Sequence, residues 1–125
     1  MTKESAAVLV IEDDQDIREV MEAILVDAGY RVATAADGAD GVAEAASFDP
    51  DIIVLDLHMP QLDGGQVIRA YRGRADAHAK IVVVSAAARN DPLIGQLRVD
   101  DFITKPFEIT DLLRRVHDLA PPAAA

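Results

Sequence analysis

Four short apolar runs, each followed directly by a polar residue, limit the possible folds of this chain more than any other feature. The runs cover residues 8–11, 52–55, 81–84 and, more weakly, 102–104. The first three are apolar at every position, which is typical of strands covered on both faces of a parallel sheet. A fifth candidate strand, residues 30–34, alternates between apolar and polar positions. The pattern therefore predicts a five-stranded sheet.

Segments with helical spacing lie between these runs. Residues 15–28 place apolar side chains at positions 17, 20, 21, 24 and 25, with Asp14 as a candidate N-cap and Gly29 after the helix. Further helices are predicted over residues 37–46, 64–72 and 109–119. A short helix over residues 92–98 is predicted to begin after Asp91 and to be weakened by Gly95. Strands that alternate with helices predict right-handed crossovers and a three-layer α/β domain.

The composition limits size, location and partners. A chain of 125 residues suits one domain, which we assign to residues 1–119, followed by a Pro- and Ala-rich tail or linker start over residues 120–125. The absence of cysteine excludes a disulfide framework, thiol catalysis and zinc–thiolate sites. The first apolar run is too short to span a membrane and lacks the features of a signal peptide, so we expect a cytoplasmic protein with no membrane partner. The net charge of −10 argues against a direct nucleic-acid partner.

Side chains that can carry chemistry follow the apolar runs. Glu12 and Asp13 follow the first run, Asp56 the second, Ser85 the third and Lys105 the last. The carboxyl ends of parallel strands meet at one edge of an α/β sheet, so we expect these side chains to converge there. Clustered carboxylates repel one another. A hard divalent cation, Mg²⁺ or Mn²⁺, would relieve that repulsion.

Each of these residues also has a purely structural interpretation. Asp14 and Asp16 are best explained as a helix cap and a first-turn charge, and the same explanation competes for Asp13. Asp56 favours the metal site, because an acid that closes an apolar strand is not a helix-capping signal. Lys105 could be an ordinary surface lysine, and Ser85 could be a hydroxyl that merely ends a strand.

A metal ion, a carboxylate, a hydroxyl and a lysine together favour phosphoryl transfer, which depends mostly on positioning and charge neutralisation. The sequence has no P-loop, no Gly-rich dinucleotide loop and no HExxH motif, so nothing indicates a bound nucleotide or a peptidase. The phosphoryl group is therefore expected from another molecule. Asp56 is the candidate nucleophile that would form an aspartyl-phosphate.

The chain resembles a known family at several motifs in the same order. The D-x-x-M-P-x-x-D-G segment of response-regulator receiver domains is similar to residues 56–64, DLHMPQLDG. The family's acidic doublet resembles Glu12-Asp13, its Ser/Thr position resembles Ser85, and its K-P-F segment resembles residues 105–107. The resemblance covers residues 8–119. The ordered set of motifs is far more specific than any single one.

The resemblance implies a fold, a reaction and a metal site. The fold is the flavodoxin-like α/β class, a doubly wound, five-stranded parallel sheet in the order 2-1-3-4-5 with five helices. The reaction is transfer of a phosphoryl group to Asp56 from a phosphohistidine of a sensor histidine kinase or a histidine phosphotransfer protein, with no turnover of external substrates. Asp13, Asp56 and the main-chain carbonyl of His58 would bind Mg²⁺ directly, and Glu12 would act through water.

The resemblance also implies how a signal would leave the site. Ser85 and Lys105 would hold phosphoryl oxygens, and Phe102 occupies the position of the family's switching aromatic residue. The peptide bond after Lys105 would be cis. His58 and Ala87 occupy positions at which the family tunes the access of water to the phosphoryl group. The chain would be a single-domain regulator or an excised receiver that signals to a downstream protein.

Two other functions compete with this interpretation. One is a phosphatase of the aspartyl-nucleophile class, whose D-x-D motif is mimicked by residues 14–16. These residues are expected to lie beyond the end of the strand, and such enzymes are usually longer chains. The other is a receiver-like binding module that signals without phosphate, and the complete set of acids, hydroxyl and lysine argues against it. We favour the phosphorylated switch.

Overall fold

Five strands and five helices alternate along the described part of the chain, residues 5–59, 63–86 and 92–122 of a computed structural model. All strand pairings are parallel, in the order β2-β1-β3-β4-β5. The predicted α/β class and strand order are therefore confirmed. The elements are β1 (Ala7–Ile11), α1 (Gln15–Asp27), β2 (Arg31–Ala35), α2 (Gly38–Phe48), β3 (Ile52–Asp56), α3 (Gly64–Arg72), β4 (Lys80–Ser85), α4 (Pro92–Leu97), β5 (Asp101–Thr104) and α5 (Ile109–Leu119).

Local signals explain most of the helix ends. The Asp14 side chain accepts a hydrogen bond from the Ile17 N–H at the start of α1, and Gly29 has a φ of 101°, as predicted. Helix α2 extends beyond the predicted residue 46 and closes at Asp49, whose φ is 52°. Helix α4 stops one residue before the predicted end, because Arg98 has a φ of 55°. The predicted cap Asp91, Ala87 and residues 60–62 lie outside the described residues.

The apolar runs are buried because helices cover both faces of the sheet. Alternate residues of β1 and β3 contribute to two core clusters. One cluster lies under α2, α3 and α4, and includes Leu9, Ile53 and Leu97. The other lies under α1 and α5, and includes Val10 and Leu112. Two-sided burial is the reason that these strands contain almost no polar position.

The strand register brings the chemistry-bearing residues to one edge. Ile11 pairs with Leu55, Asp56 pairs with Val84, and Ser85 pairs with Thr104, so β1, β3, β4 and β5 all end together. The residues after α5 lie at the opposite edge. There, the Ala6 N–H donates to the Pro122 carbonyl oxygen at 2.6 Å, and the Tyr30 hydroxyl donates to that of Ala120 at 2.9 Å. Within the described ranges, no helix is long and apolar enough to cross a bilayer.

Candidate functional site

Asp56 ends β3 and is only 8% exposed. The first residue of α3, Gly64, packs directly against the backbone of Leu57, the residue after Asp56. The Gly64 N–H donates to the Leu57 carbonyl oxygen at 2.8 Å, and a Cβ at position 64 would lie 2.7 Å from the Leu57 Cα. Any other side chain would therefore collide with backbone. The glycine of the DLHMPQLDG segment is thus a steric requirement of the loop that follows Asp56.

Lys105 links the two buried acids of the site. Its Nζ donates to Glu12 Oε1 at 2.8 Å and to Asp56 Oδ2 at 3.1 Å. Its backbone N–H donates to the Ser85 carbonyl oxygen at 2.9 Å, which fixes the loop after β5 against the end of β4. The peptide bond between Lys105 and Pro106 is cis, as the resemblance implied. Lys105 is therefore not an ordinary surface lysine.

Glu12 is the most deeply buried acid of the site, with 1% exposure. Burial raises the pKa of its carboxyl to about 7, the neighbouring Asp56 carboxyl adds to the rise, and the Lys105 ammonium opposes it. Burial alone would lower the pKa of Lys105, but its hydrogen bonds to Glu12 and Asp56 raise the pKa above the ordinary value. The charge states of Glu12 and Lys105 therefore depend on each other.

The acids are arranged as a divalent cation requires. One carboxylate oxygen from each of Glu12, Asp13 and Asp56 lies within 4.8 Å of the others. Ligand oxygens on opposite sides of a Mg²⁺ ion are about 4 Å apart, so the cluster is close to the right size. Glu12 Oε2 is buried and has no hydrogen-bond partner among the described residues. A buried acceptor without a partner is costly, and a cation or its water would satisfy it.

The other predicted site residues lie around this cluster. The His58 N–H donates to Asp56 Oδ1 at 3.1 Å, and the imidazole is exposed. Ser85 is buried at the end of β4. Phe102 on β5 is 36% exposed. The structure thus brings Glu12, Asp13, Asp56 and Lys105 together, places His58 and Ser85 beside them, and places Phe102 farther back, within β5.

The D-x-D motif lies outside the cluster. Asp14 caps α1 through its side chain, with Oδ1 accepting from the Ile17 N–H at 3.1 Å. Asp16 is exposed in the first turn of α1. The helix-cap and first-turn explanations hold for these two acids.

Two features beside the site were not predicted. Arg18 of α1 donates from Nη1 to the Glu12 carbonyl oxygen at 2.9 Å. An apolar groove of about 460 Å³ opens next to Lys105 between α1 and α5. The apolar side chains that line it include Ile17, Val20, Met21, Ile24, Phe107 and Ile109. The helical spacing of α1 marked this face as apolar but did not show that part of it stays uncovered.

Comparison with known proteins finds relatives over nearly the whole chain. The family model of the response regulator receiver domain matches residues 8–117. The transcriptional regulatory protein PrrA of Mycobacterium tuberculosis is 40% identical over 117 residues, which are 92% of this chain and 50% of that protein. The chain therefore spans about half the length of this relative.

Solved structures show the same architecture. The chemotaxis response regulator CheY4 of Vibrio cholerae matches with a TM-score of 0.85 and 28% identity, covering 92% of this chain and 98% of that one. The receiver domain of the sensor histidine kinase PA1611 from Pseudomonas aeruginosa matches with a TM-score of 0.83 and 30% identity, covering 92% and 97%. In that receiver domain, a magnesium ion is coordinated in the active site cleft.

Proposed function

The chain belongs to the response-regulator receiver family, and on this premise we propose that it is a phosphoacceptor switch in which Asp56 is the residue phosphorylated. One observation carries the assignment. Asp56 lies at the end of β3, with Lys105 Nζ 3.1 Å from its Oδ2 and with the Glu12 and Asp13 carboxylates close enough to share a cation. A nucleophile, a fixed positive charge and a metal-binding cluster are the parts that phosphoryl transfer needs.

The chain's own residues have distinct roles in this proposal. An Asp56 carboxylate oxygen attacks the phosphorus of a phosphohistidine, the bond from phosphorus to the imidazole nitrogen breaks, and its electron pair leaves with the imidazole. Lys105, already beside Asp56, pairs with an incoming phosphoryl oxygen. Asp13, Asp56 and the main-chain carbonyl of His58 would hold Mg²⁺, with Glu12 acting through water. When bound, the ion neutralises charge on the phosphoryl oxygens.

We assign Ser85 and Phe102 to the output of the switch. Ser85 ends β4 and pairs with Thr104 of β5. A hydrogen bond from the Ser85 hydroxyl to the phosphoryl group would therefore pull the end of β4 toward the site and, through this pairing, shift β5. Phe102 lies two residues before Thr104 and is partly exposed, which leaves it free to turn inward. Burial of this ring on phosphorylation would change the surface offered to a downstream protein.

The acceptor can be tested with a small phosphodonor. The wild-type chain should be phosphorylated by acetyl phosphate with Mg²⁺ and not with excess EDTA. Asp56→Asn should lose the reaction, because an amide is not a nucleophile. Asp63→Asn is the matched control: Asp63 caps α3 through its side chain, and asparagine caps equally well. Equal phosphorylation of Asp56→Asn and wild type would refute the assignment.

A phosphatase function is not supported by the site geometry. The second acid of the D-x-D motif would have to reach the phosphoryl group, yet Asp14 is engaged as a helix cap and Asp16 is exposed on α1. We therefore expect no turnover of a generic phosphate ester. Sustained release of phosphate from such an ester by the wild type and by Asp56→Asn, but not by Asp14→Asn, would favour the phosphatase instead.

The apolar groove is the place where we propose that the phosphodonor protein docks. Lys105 lines both the groove and the phosphoryl site, so a protein in the groove would hold its phosphohistidine near Asp56. Val20 and Ile109 both line the groove and are 48% and 43% exposed, so the groove presents a shared apolar surface of the kind that marks protein contacts. The acidic surface implied by a net charge of −10 favours a donor with basic residues around its apolar face.

Two exposed valines of α1 provide a matched test of docking. Val20 lines the groove, whereas Val26 is 54% exposed and does not line it. Val20→Gln should slow transfer from a cognate phosphorylated donor protein on the order of tenfold, and Val26→Gln should not. Both variants should react with acetyl phosphate like wild type. Equal effects of the two substitutions on protein-to-protein transfer would exclude the groove as the docking surface.

A further inference from the structure

Arg18 is the only basic residue between Ser5 and Tyr30, a stretch that is rich in acids. It lies in the first half of α1 and is half-buried. Its Nη1 donates to the Glu12 carbonyl oxygen at 2.9 Å. The contact therefore joins the helix to the peptide bond that connects the two acids of the doublet.

The acids around Arg18 do not account for its position. Asp14 and Glu22 lie four residues away on either side, the spacing at which helical ion pairs form. Even so, no ion pair among residues 5–59, 63–86 and 92–122 includes Arg18. Its guanidinium instead contacts a main-chain oxygen beside the site.

The loop between β1 and α1 is fixed on both sides of Asp13. The Glu12 N–H donates to the Ala35 carbonyl oxygen at 3.1 Å, and Asp14 caps α1. Arg18 adds the contact to the Glu12 carbonyl oxygen, which is the other end of the same residue. Because a peptide bond is planar, holding this oxygen also fixes the N–H and Cα of Asp13. Together with the Asp14 cap on the other side, this restricts rotation about the N–Cα bond of Asp13 and so the direction of its Cβ.

We propose that Arg18 is a positioning residue that aims the Asp13 carboxylate at the divalent cation. This inference rests on the proposed function, because it assumes that the acidic cluster binds the ion. The Glu12 and Asp56 side chains are buried and linked through Lys105, whereas Asp13 is exposed. The backbone contact from Arg18 supplies the constraint that packing does not give Asp13.

A purely electrostatic role for Arg18 predicts the opposite result. A positive charge close to a cation site repels the cation, so its removal would tighten metal binding, most strongly at low salt. Loss of a positioning contact weakens metal binding at every salt concentration. Removal of residues that orient metal ligands typically costs about 10- to 100-fold in metal affinity.

The test is Mn²⁺ affinity, measured from the electron paramagnetic resonance signal of the free ion at about 0.05 M and about 0.5 M salt. Arg18→Met keeps the aliphatic stem and removes the donors, and we expect about tenfold weaker binding at both salt concentrations. Arg18→Lys keeps the charge on a shorter side chain, and its affinity should lie between those of wild type and Arg18→Met. Arg114→Met, an exposed residue of α5, makes the same change in net charge and should bind like wild type.

The outcomes separate this inference from the proposed function. Equal or tighter binding by Arg18→Met would overturn the positioning role, as would wild-type affinity in Arg18→Lys. Failure of the wild type to bind Mn²⁺, or unchanged affinity in Asp13→Asn, would instead overturn the metal site itself. Circular dichroism spectra of the variants verify the fold, which Met21 and Leu25 of α1 should preserve because both are buried in the core.

Discussion

Arg72 closes the C-terminal end of the shortest helix in the described structure. From the last turn of α3, its Nη1 donates to the Leu97 carbonyl oxygen and its Nη2 donates to the Arg98 carbonyl oxygen at 2.8 Å. Helix α4 has six residues, including Gly95, so it has little intrinsic stability. We expect Arg72→Ala to destabilise α4 locally more than it destabilises the whole domain.

The size of the effect follows from the two hydrogen bonds and the helix dipole. A hydrogen bond from a charged donor contributes about 1.5–3 kcal/mol, and screening at this exposed position reduces that to about 1 kcal/mol for each bond. The positive charge at a helix C-terminus adds about 0.3–1 kcal/mol. The sum is about 2.5 kcal/mol, which corresponds to a fall of about 70-fold in the protection of the α4 amides from hydrogen exchange.

Hydrogen exchange of the wild type and two variants tests this reasoning. In the wild type, α4 should already exchange faster than α1 and α5, and Arg72→Ala should increase exchange at residues 94–97 selectively. Arg69→Ala is the control, because Arg69 lies one turn earlier on the exposed face of α3 and its guanidinium makes no contact with α4 among the described hydrogen bonds. Unchanged protection of the α4 amides in Arg72→Ala, or an equal increase in their exchange rate in Arg69→Ala, would refute the stabilisation of α4 by Arg72.

Two glycines and one buried acid should each change stability in a direction that the packing and charges define. Gly64→Ala should destabilise the domain by about 3 kcal/mol in urea unfolding, because the new Cβ meets the Leu57 backbone at 2.7 Å; an unchanged midpoint would contradict this. Gly95→Ala should stabilise α4 by about 1 kcal/mol, because no atom lies within 4 Å of the new Cβ; faster exchange of α4 would contradict it. The pKa of Glu12 rises from 4.5 to about 7 on folding, so the folded state binds the proton of this carboxyl more tightly than the unfolded state does. The metal-free domain should therefore lose up to about 3 kcal/mol of unfolding free energy as the pH rises from the lower to the higher of these pKa values. The same dependence of unfolding free energy on pH in Glu12→Gln would exclude Glu12 as the cause of this loss.

Much of the fold could be predicted because its determinants are local. The apolar runs marked the strands that are covered on both faces, and Asp14 and Gly29 marked the ends of α1. The polar residues that end these runs indicated the edge where the site lies. The acidic doublet and Lys105 are far apart in the sequence, yet strand order alone brings them together.

Other features depend on contacts that the sequence pattern does not encode. The apolar spacing of α1 made Val20 equivalent to Met21 and Leu25, but only the latter two are buried in the core, whereas Val20 lines the open groove between α1 and α5. The carbonyl oxygens at the C-terminal end of α4 accept hydrogen bonds from Arg72, a residue of another helix. The raised pKa of Glu12 requires its burial against Asp56, and the contact of Arg18 with the doublet runs to a carbonyl oxygen, which no sequence motif marks.

The position of the phosphoryl group distinguishes Asp56 from the other acids near the site. After reaction with acetyl phosphate and Mg²⁺, borohydride reduction converts an aspartyl-phosphate to homoserine, and fragmentation of the digested peptides identifies the residue. We expect one modified position, Asp56, and no homoserine at Asp13, Asp14, Asp16 or Asp63. Homoserine at any of these four positions, with Asp56 unmodified, would contradict this expectation.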